Sequence, residues 1–412
     1  MPLAIWLLSL AVAPAAAGGA SAPQAVAVRH WVDGNLESAL RLIEPSAASR
    51  ERDLNRAVVL LYSGRGAEAE GLLLSLLERD PGWTPAVRWL ARAQHELGRS
   101  EAMATTAALL RSRNAEAQDA LWAGRSFLAE SQFGLARDSF AEAVRHVPGL
   151  SLGWLGLQRA EAALDRPDAA EQAGAQARGF RDADGVPPPL VLFPGEQLRY
   201  RVKYLFFRLA ELRITTSDLP ERPGITRVVL AARSNPSLPF FHVDSTFESL
   251  IDADGRVVSH ANLASDSDNG RRAARYEMDA SARRCTVRWV RDGLFGYDVL
   301  PLPQHPHDGV TVMLLLRALA RVGGAVTVPT AVDGTWWPTA LRTLERDTLR
   351  WRGQLVDVVH MQSIGDYRGP GGLSGVVDVW VSADARAIPF RATMKVAVGS
   401  IDLELLPEEG VQ

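Results

Sequence analysis

The residues able to do chemistry are few and scattered. The densest cluster is His305-Pro306-His307-Asp308, which has the composition of half a metal site. A proline between the two histidines favours extended backbone, so the rings point to opposite sides, and no third ligand lies nearby. The segment therefore reads as a loop closed by a helix cap at Asp308. Two acidic runs, Asp252-Ala253-Asp254-Gly255 and Asp266-Ser267-Asp268-Asn269-Gly270, are faintly calcium-like. The first lacks a closing glutamate. In the second, Arg271 stands where the sharp-turn glycine belongs, so both read as hairpin turns. Cys285 is the sole cysteine, which excludes an intrachain disulfide and any multi-cysteine metal site. Its alternating context, Arg284-Cys285-Thr286-Val287-Arg288-Trp289, is that of a small buried hydrophobe in a strand. Nucleophile elbows, paired metalloprotease histidines and phosphate-cradling loops are missing; His95-Glu96 opens the second of these falsely, since Arg99 occupies the place of the second histidine. What is left is the possibility of two distant carboxylates working as a pair, for which Glu345, Asp357 and Asp378 are the candidates. No catalytic residue, cofactor or metal is assigned.

Composition excludes other classes. With 412 residues, 47% hydrophobic and 23% charged, the chain has the make-up of a globular protein of two domains. A net charge of −3 without a run of like charges makes nucleic acid an unexpected partner. Lys203 and Lys395 are the only lysines, an arginine bias attributed to base composition rather than to phosphate recognition.

Residues 1–22 read as a signal peptide and cleavage region. An apolar stretch from Met1 to Ala13 is followed by Pro14-Ala15-Ala16-Ala17-Gly18, small residues suited to a signal peptidase, although no Lys or Arg precedes the stretch. It is shorter than the ~20 residues that span a bilayer. The expectation is a soluble mature chain, exported across the inner membrane and located in the periplasm or peripherally on the cell envelope.

From 25 to 181 the pattern is helical and repeated. Gly124, Phe127, Ala136, Phe140, Ala143 and Pro148 fall at the small, aromatic, small, aromatic, small and proline positions of a repeat of about 34 residues. Ala57, Leu60, Ala69, Leu73, Leu76 and Pro81 form an earlier unit; Leu90, Ala91, Gly98 and Leu110 a degenerate one; Trp154 and Ala170 a partial last one. The pattern resembles tetratricopeptide repeats. That resemblance implies an α-α superhelix, a TPR-like solenoid whose concave surface takes a protein or peptide partner, with Arg125, Gln132 and Arg137 as groove candidates.

Residues 182–190 form a connector stiffened by Pro187-Pro188-Pro189. Residues 191–406 then alternate apolar with polar, beginning with Leu198, Tyr200, Val202 and Tyr204, and a short tail covers 407–412. The expected fold is an antiparallel β-rich sandwich or half-barrel with one helix from Asp308 to Val322, making the whole chain an α+β multidomain protein. Tyr200, Tyr204, Phe240, Trp336, Trp337 and Trp380 are candidates to line a ligand cavity inside it. The two halves are expected to fold independently.

Three motifs here resemble one family. Gly195-Glu196-Gln197-Leu198-Arg199-Tyr200, the spacing of Asp308 to Arg317, and Trp380-Val381-Ser382-Ala383-Asp384 with Arg386 and Pro389 are similar, in that order, to the exported bacterial Domain of Unknown Function 3108 family. Leu205 to Ala210 departs from it, because that family tends to place glycines in this first hairpin, and a looser or differently typed turn is expected. The resemblance implies a β-rich fold and an envelope location but no catalytic residues. Together these readings point to a non-enzymatic binding or assembly factor. The alternatives are a periplasmic carrier of an apolar lipid or glycolipid, and an envelope hydrolase acting on glycan or peptide.

Overall fold

The computed structural model describes residues 22–43, 49–99, 105, 117–181, 184–238, 243–267, 272–332, 335–365, 376–395 and 399–407. Residues 1–21, Phe240 and the Asn269-Gly270, Asp333-Gly334 and Gly369 to Gly372 turns lie outside them. The chain divides into two compact units. Among the described residues, one comprises residues 22–180 together with Val287–Pro301; the other comprises residues 181–286 and 302–407. No described helix is long and apolar enough to cross a membrane.

The first unit is a helical array of α1 (Ala22–Val32), α2 (Leu36–Ile43), α3 (Arg50–Tyr62), α4 (Gly66–Arg79), α5 (Thr84–Glu96), α6 (Ala117–Ala129), α7 (Phe133–His146), α8 (Ser151–Ala163) and α9 (Pro167–Arg181). Consecutive helices pack on one another as the repeat pattern requires. Ser49 caps α3 by accepting from the Arg52 amide at 3.1 Å. Pro81 and Pro148 stand just past the ends of α4 and α7, where a proline stops a helix. The repeat signature has a direct steric meaning, because a Cβ on Gly124 would lie 2.6 Å from the ring of Phe140. The small residue lets α6 and α7 close on an aromatic side chain that is only 1% exposed.

The strands are β1 (Gln197–Tyr204), β2 (Phe207–Asp218), β3 (Thr226–Ser234), β4 (Val243–Ile251), β5 (Val257–Ser267), β6 (Arg272–Asp279), β7 (Arg284–Arg291), β8 (Leu294–Pro301), β9 (Ala325–Val332), β10 (Thr335–Trp351), β11 (Gln354–Gly365), β12 (Val376–Ser382), β13 (Pro389–Lys395) and β14 (Ser400–Leu405). Their order in the sheet is β8-β7-β6-β5-β4-β3-β2-β1-β14-β13-β12-β11-β10-β9, so the sheet is not closed into a barrel. The free side of β9 is covered by Asp184 and by His307, each bridging it through backbone hydrogen bonds, which protects an edge that would otherwise template pairing.

Inside the second unit, α10 (Gly309–Val322) packs against β3 and β4 on one side and β9 to β12 on the other, so the sheet curves around it. Every residue from Gly309 to Leu319 is buried, which explains why this helix is apolar almost all round. Asp308 caps it with a capping box: its carboxylate accepts from the Val310 and Thr311 amides at 2.7 and 3.0 Å. The β1–β2 turn is tight rather than loose. Tyr204 pairs with Phe207, leaving Leu205 and Phe206 as the loop, and Leu205 takes φ 52°, a conformation that glycine would adopt without strain.

Candidate functional site

Side chains of α1, α3, α5 and α6 meet on one segment of the chain, residues 288–298 of β7 and β8, which belong to the same compact unit. Trp31 of α1 stacks on Phe295 at 5.4 Å with 10° between the planes, and its indole donates to the Trp289 carbonyl at 3.0 Å. Asn55 of α3 reads the backbone as a strand partner would: its amide donates to the Gly293 carbonyl and its carbonyl accepts from the Phe295 amide, both at 2.8 Å. Tyr297 meets Tyr62 edge-on and tilts over Trp89. Arg288 donates to the Val32 carbonyl at 3.0 Å and to the Tyr62 hydroxyl at 3.1 Å.

Arg92 of α5 is the hub. Its guanidinium carbon lies 3.7 Å from the Tyr297 ring, 4.7 Å from Trp122 and 5.0 Å from Trp89, and it donates to the Tyr297 carbonyl. The cage surrounds a cation that is 5% exposed, a setting in which cation–π attraction is worth about 2 kcal/mol. Asp298 closes the site at 3.7 Å from Arg92, accepting from Gln118 at 2.7 Å and from the Trp289 indole at 3.1 Å. Burial pushes the Asp298 carboxyl above its usual range, with Arg92 opposing that shift. The arrangement grips the backbone and aromatic side chains of a β-hairpin, whose turn residues Asp292 and Gly293 have φ 50° and 80°, and contains no nucleophile beside a base.

Of the groove residues expected from sequence, Arg125 lies 4.1 Å over Trp122, whereas Arg137 pairs with its neighbour Asp138 and Gln132 precedes α7. Trp31, Asn55, Tyr62, Trp89 and Arg92 lie outside that expectation. A signal existed, since Asn55 and Trp89 stand one repeat of about 34 residues apart.

The five described aromatic candidates, Tyr200, Tyr204, Trp336, Trp337 and Trp380, do not converge. Tyr200 lines an apolar cavity of about 60 Å³ with Met313, Leu316 and Met394. That is far below the roughly 300–1,000 Å³ of a ligand pocket. The space a carrier would need is filled by α10. Trp336 is fully buried, while Trp337, next in the same strand, is half-buried. Tyr204 packs at the margin of the core, and Trp380 stacks on His360 at 4.8 Å and 3°.

Two further groups of titratable side chains lie close together among the described residues. Ser249 donates to Asp308 at 2.9 Å, and His260 approaches both through the same nitrogen, Nδ1, at 3.4 and 3.5 Å. A relay would need the serine and the carboxylate on opposite nitrogens. Two of the three candidate carboxylates meet at one histidine: His360 lies 3.0 Å from Asp378 and 3.7 Å from Glu345, whereas the Asp357 carbonyl accepts from the Ala383 amide. Cys285 is buried, and burial pushes its thiol up.

The three sequence motifs of the second unit come together in one place. Glu196 takes two hydrogen bonds from Arg317, at 2.5 and 3.1 Å, and lies 3.3 Å from Arg386; Arg317 also donates to the Ala387 and Arg386 carbonyls. Ser382 and Asp384 fold the loop that presents those carbonyls, through a 2.8 Å hydrogen bond. The motifs thus clamp the start of β1, the middle of α10 and the turn after β12.

The family described as "Protein of unknown function (DUF3108)" matches residues 199–406, just over half of the chain. The chain belongs to that family. No curated protein matches it. Among solved structures, MamA 41-end from Desulfovibrio magneticus RS-1 is 16% identical, with a TM-score of 0.35 over 38% of this chain and 90% of that one. A second MamA structure, AMB-1, is 15% identical, with a TM-score of 0.35 over 38% of this chain and 96% of that one. Likenesses at that level do not bear on what this DUF3108 protein binds.

Proposed function

We propose that this DUF3108 protein is a non-enzymatic binding or assembly factor of the bacterial cell envelope, whose helical array recognises polypeptide in β-hairpin conformation. One observation carries the reading: α1, α3 and α5 hold residues 288–298 largely through backbone carbonyls and an amide, at Trp289, Gly293, Phe295 and Tyr297. Backbone recognition does not depend on the sequence being read, and aromatic pockets for alternate side chains then add preference. The envelope placement rests on the N-terminal apolar stretch and its small-residue flank.

The test is to vacate the groove in the full-length chain with Phe295→Ala and Tyr297→Ala and to titrate a labelled peptide of residues 287–301. The expected result is saturable binding to the variant, abolished by a further Asn55→Ala, and little binding to the native chain. Absence of binding to the vacated groove would overturn the reading.

A further inference from the structure

A second surface lies on the sheet unit and was not visible in the sequence. Between the start of β1, β2, the β10–β11 turn and the loop after β12 is an open cleft of about 780 Å³. Arg199, Arg213, Arg352 and Arg386 line it, each from a different element, and Glu196 is the only carboxylate among its lining residues. Both Glu196 oxygens are already held by Arg317, so the cleft is positively charged in excess.

Two features show that this charge is held against local cost. Arg199 and Arg213 are directly opposite one another in the β1–β2 pairing, a like-charge arrangement that destabilises a sheet. Arg199 is compensated by Glu211 at 2.8 Å, but among the described residues Arg213 has no carboxylate partner. Arg352, which also has none among the described residues, sits in the β10–β11 turn at φ 52°, where asparagine or glycine would be less strained. Beside these cations the wall is aromatic and apolar: Trp351 and Phe390 meet edge-to-face at 4.9 Å, and the Arg352 guanidinium lies 5.7 Å from the Trp351 ring.

We propose that this cleft binds a phosphate-bearing ligand with an apolar or ring-containing body. Guanidinium forks match phosphate oxygens, and cations converging from several elements exceed what one planar carboxylate can use. A phosphomonoester offers three acceptor oxygens and about −1.5 to −2 charge. The body of the ligand lies against Trp351 and Phe390, and the volume is that of a small-molecule site. Such chemistry is shared by lipid headgroups and by soluble phosphoesters.

Calorimetric titration of the full-length protein separates the sources, using inorganic phosphate, phenyl phosphate and dihexanoyl phosphatidic acid below its micelle concentration. Saturable binding of an ester is expected, weakened by salt and weakened at least tenfold in Arg213→Gln/Arg352→Asn. Arg256→Gln, outside the cleft, should bind as the native chain does. Binding of phosphatidic acid alone assigns a lipid headgroup, and equal binding of phenyl phosphate assigns a soluble phosphoester. Failure of both esters to bind, undiminished binding by the double variant, or inorganic phosphate binding as tightly as either ester would overturn the proposal.

Discussion

Replacing Arg317 with methionine removes one side of the clamp that joins the three family motifs. Arg317 is 1% exposed, and it satisfies both Glu196 oxygens and the carbonyls of Arg386 and Ala387. The substitution strands a buried carboxylate, a loss of about 3–5 kcal/mol, and leaves two carbonyls short of a donor. Arg386, half-exposed and 3.3 Å from Glu196, offsets part of this, which brings the expectation to about 4 kcal/mol. Urea unfolding of the full chain, followed by the far-ultraviolet β signal, measures it. Glu196→Leu added to Arg317→Met should restore at least half of the loss, because the unpaired charge is then gone and two apolar side chains fill the space. A single variant within about 1 kcal/mol of native, or a double variant no better than the single, would refute the view that the motifs form a buried ion-pair clamp.

Acid should weaken the sheet unit before its carboxylates protonate. Burial pushes His307 down to about 4 from the ordinary 6.5, and burial also lowers His260, with Asp308 partly opposing it. The unfolded chain therefore takes up these protons first. The stability contributed by the neutral rings is intact above pH ~6.5 and lost as pH falls towards 4, by up to about 3 kcal/mol for His307. Thermal melts at pH 7.5 and 4.5 check this, and His307→Gln should flatten the slope; an unchanged slope would contradict it. In the array, Gly124→Ala should cost about 1–3 kcal/mol, because its Cβ would lie 2.6 Å from the Phe140 ring. Gly71→Ala, in the middle of α4 with nothing within 4 Å of the added Cβ, should instead stabilise by about 0.5–1 kcal/mol. Equal effects at the two sites, read from array melting, would undermine the repeat packing.

Local signals in the sequence were reliable where one element's pattern determined its surroundings. The small and aromatic positions around Gly124 and Phe140 define a helical hairpin, and Asp308 before an apolar helical run defines α10 and its cap. Glu196, Arg317 and Arg386 were recognisable as members of ordered motifs, but their meeting at one buried ion pair depends on tertiary folding. Less was legible where long-range docking decides. Nothing local in Leu294-Phe295-Gly296-Tyr297 says that Phe295 and Tyr297 face Trp31 and Trp89 of the array. The aromatic candidates failed to converge for a similar reason: Trp336 and Trp337 are adjacent in β10, where successive side chains point to opposite faces. The cleft arginines were hidden because sequence distance conceals that Arg199, Arg213, Arg352 and Arg386 share one surface.

The claim that the array grips the 288–298 segment is tested most directly by a double-mutant cycle between Arg92 and Tyr297, measured as unfolding free energy of the full chain. The guanidinium carbon is 3.7 Å from the ring, and the pair is desolvated, so Arg92→Met and Tyr297→Leu should couple by about 1–2 kcal/mol. Additivity of the two substitutions to within about 0.3 kcal/mol would show that α5 does not hold β8, and would contradict the account.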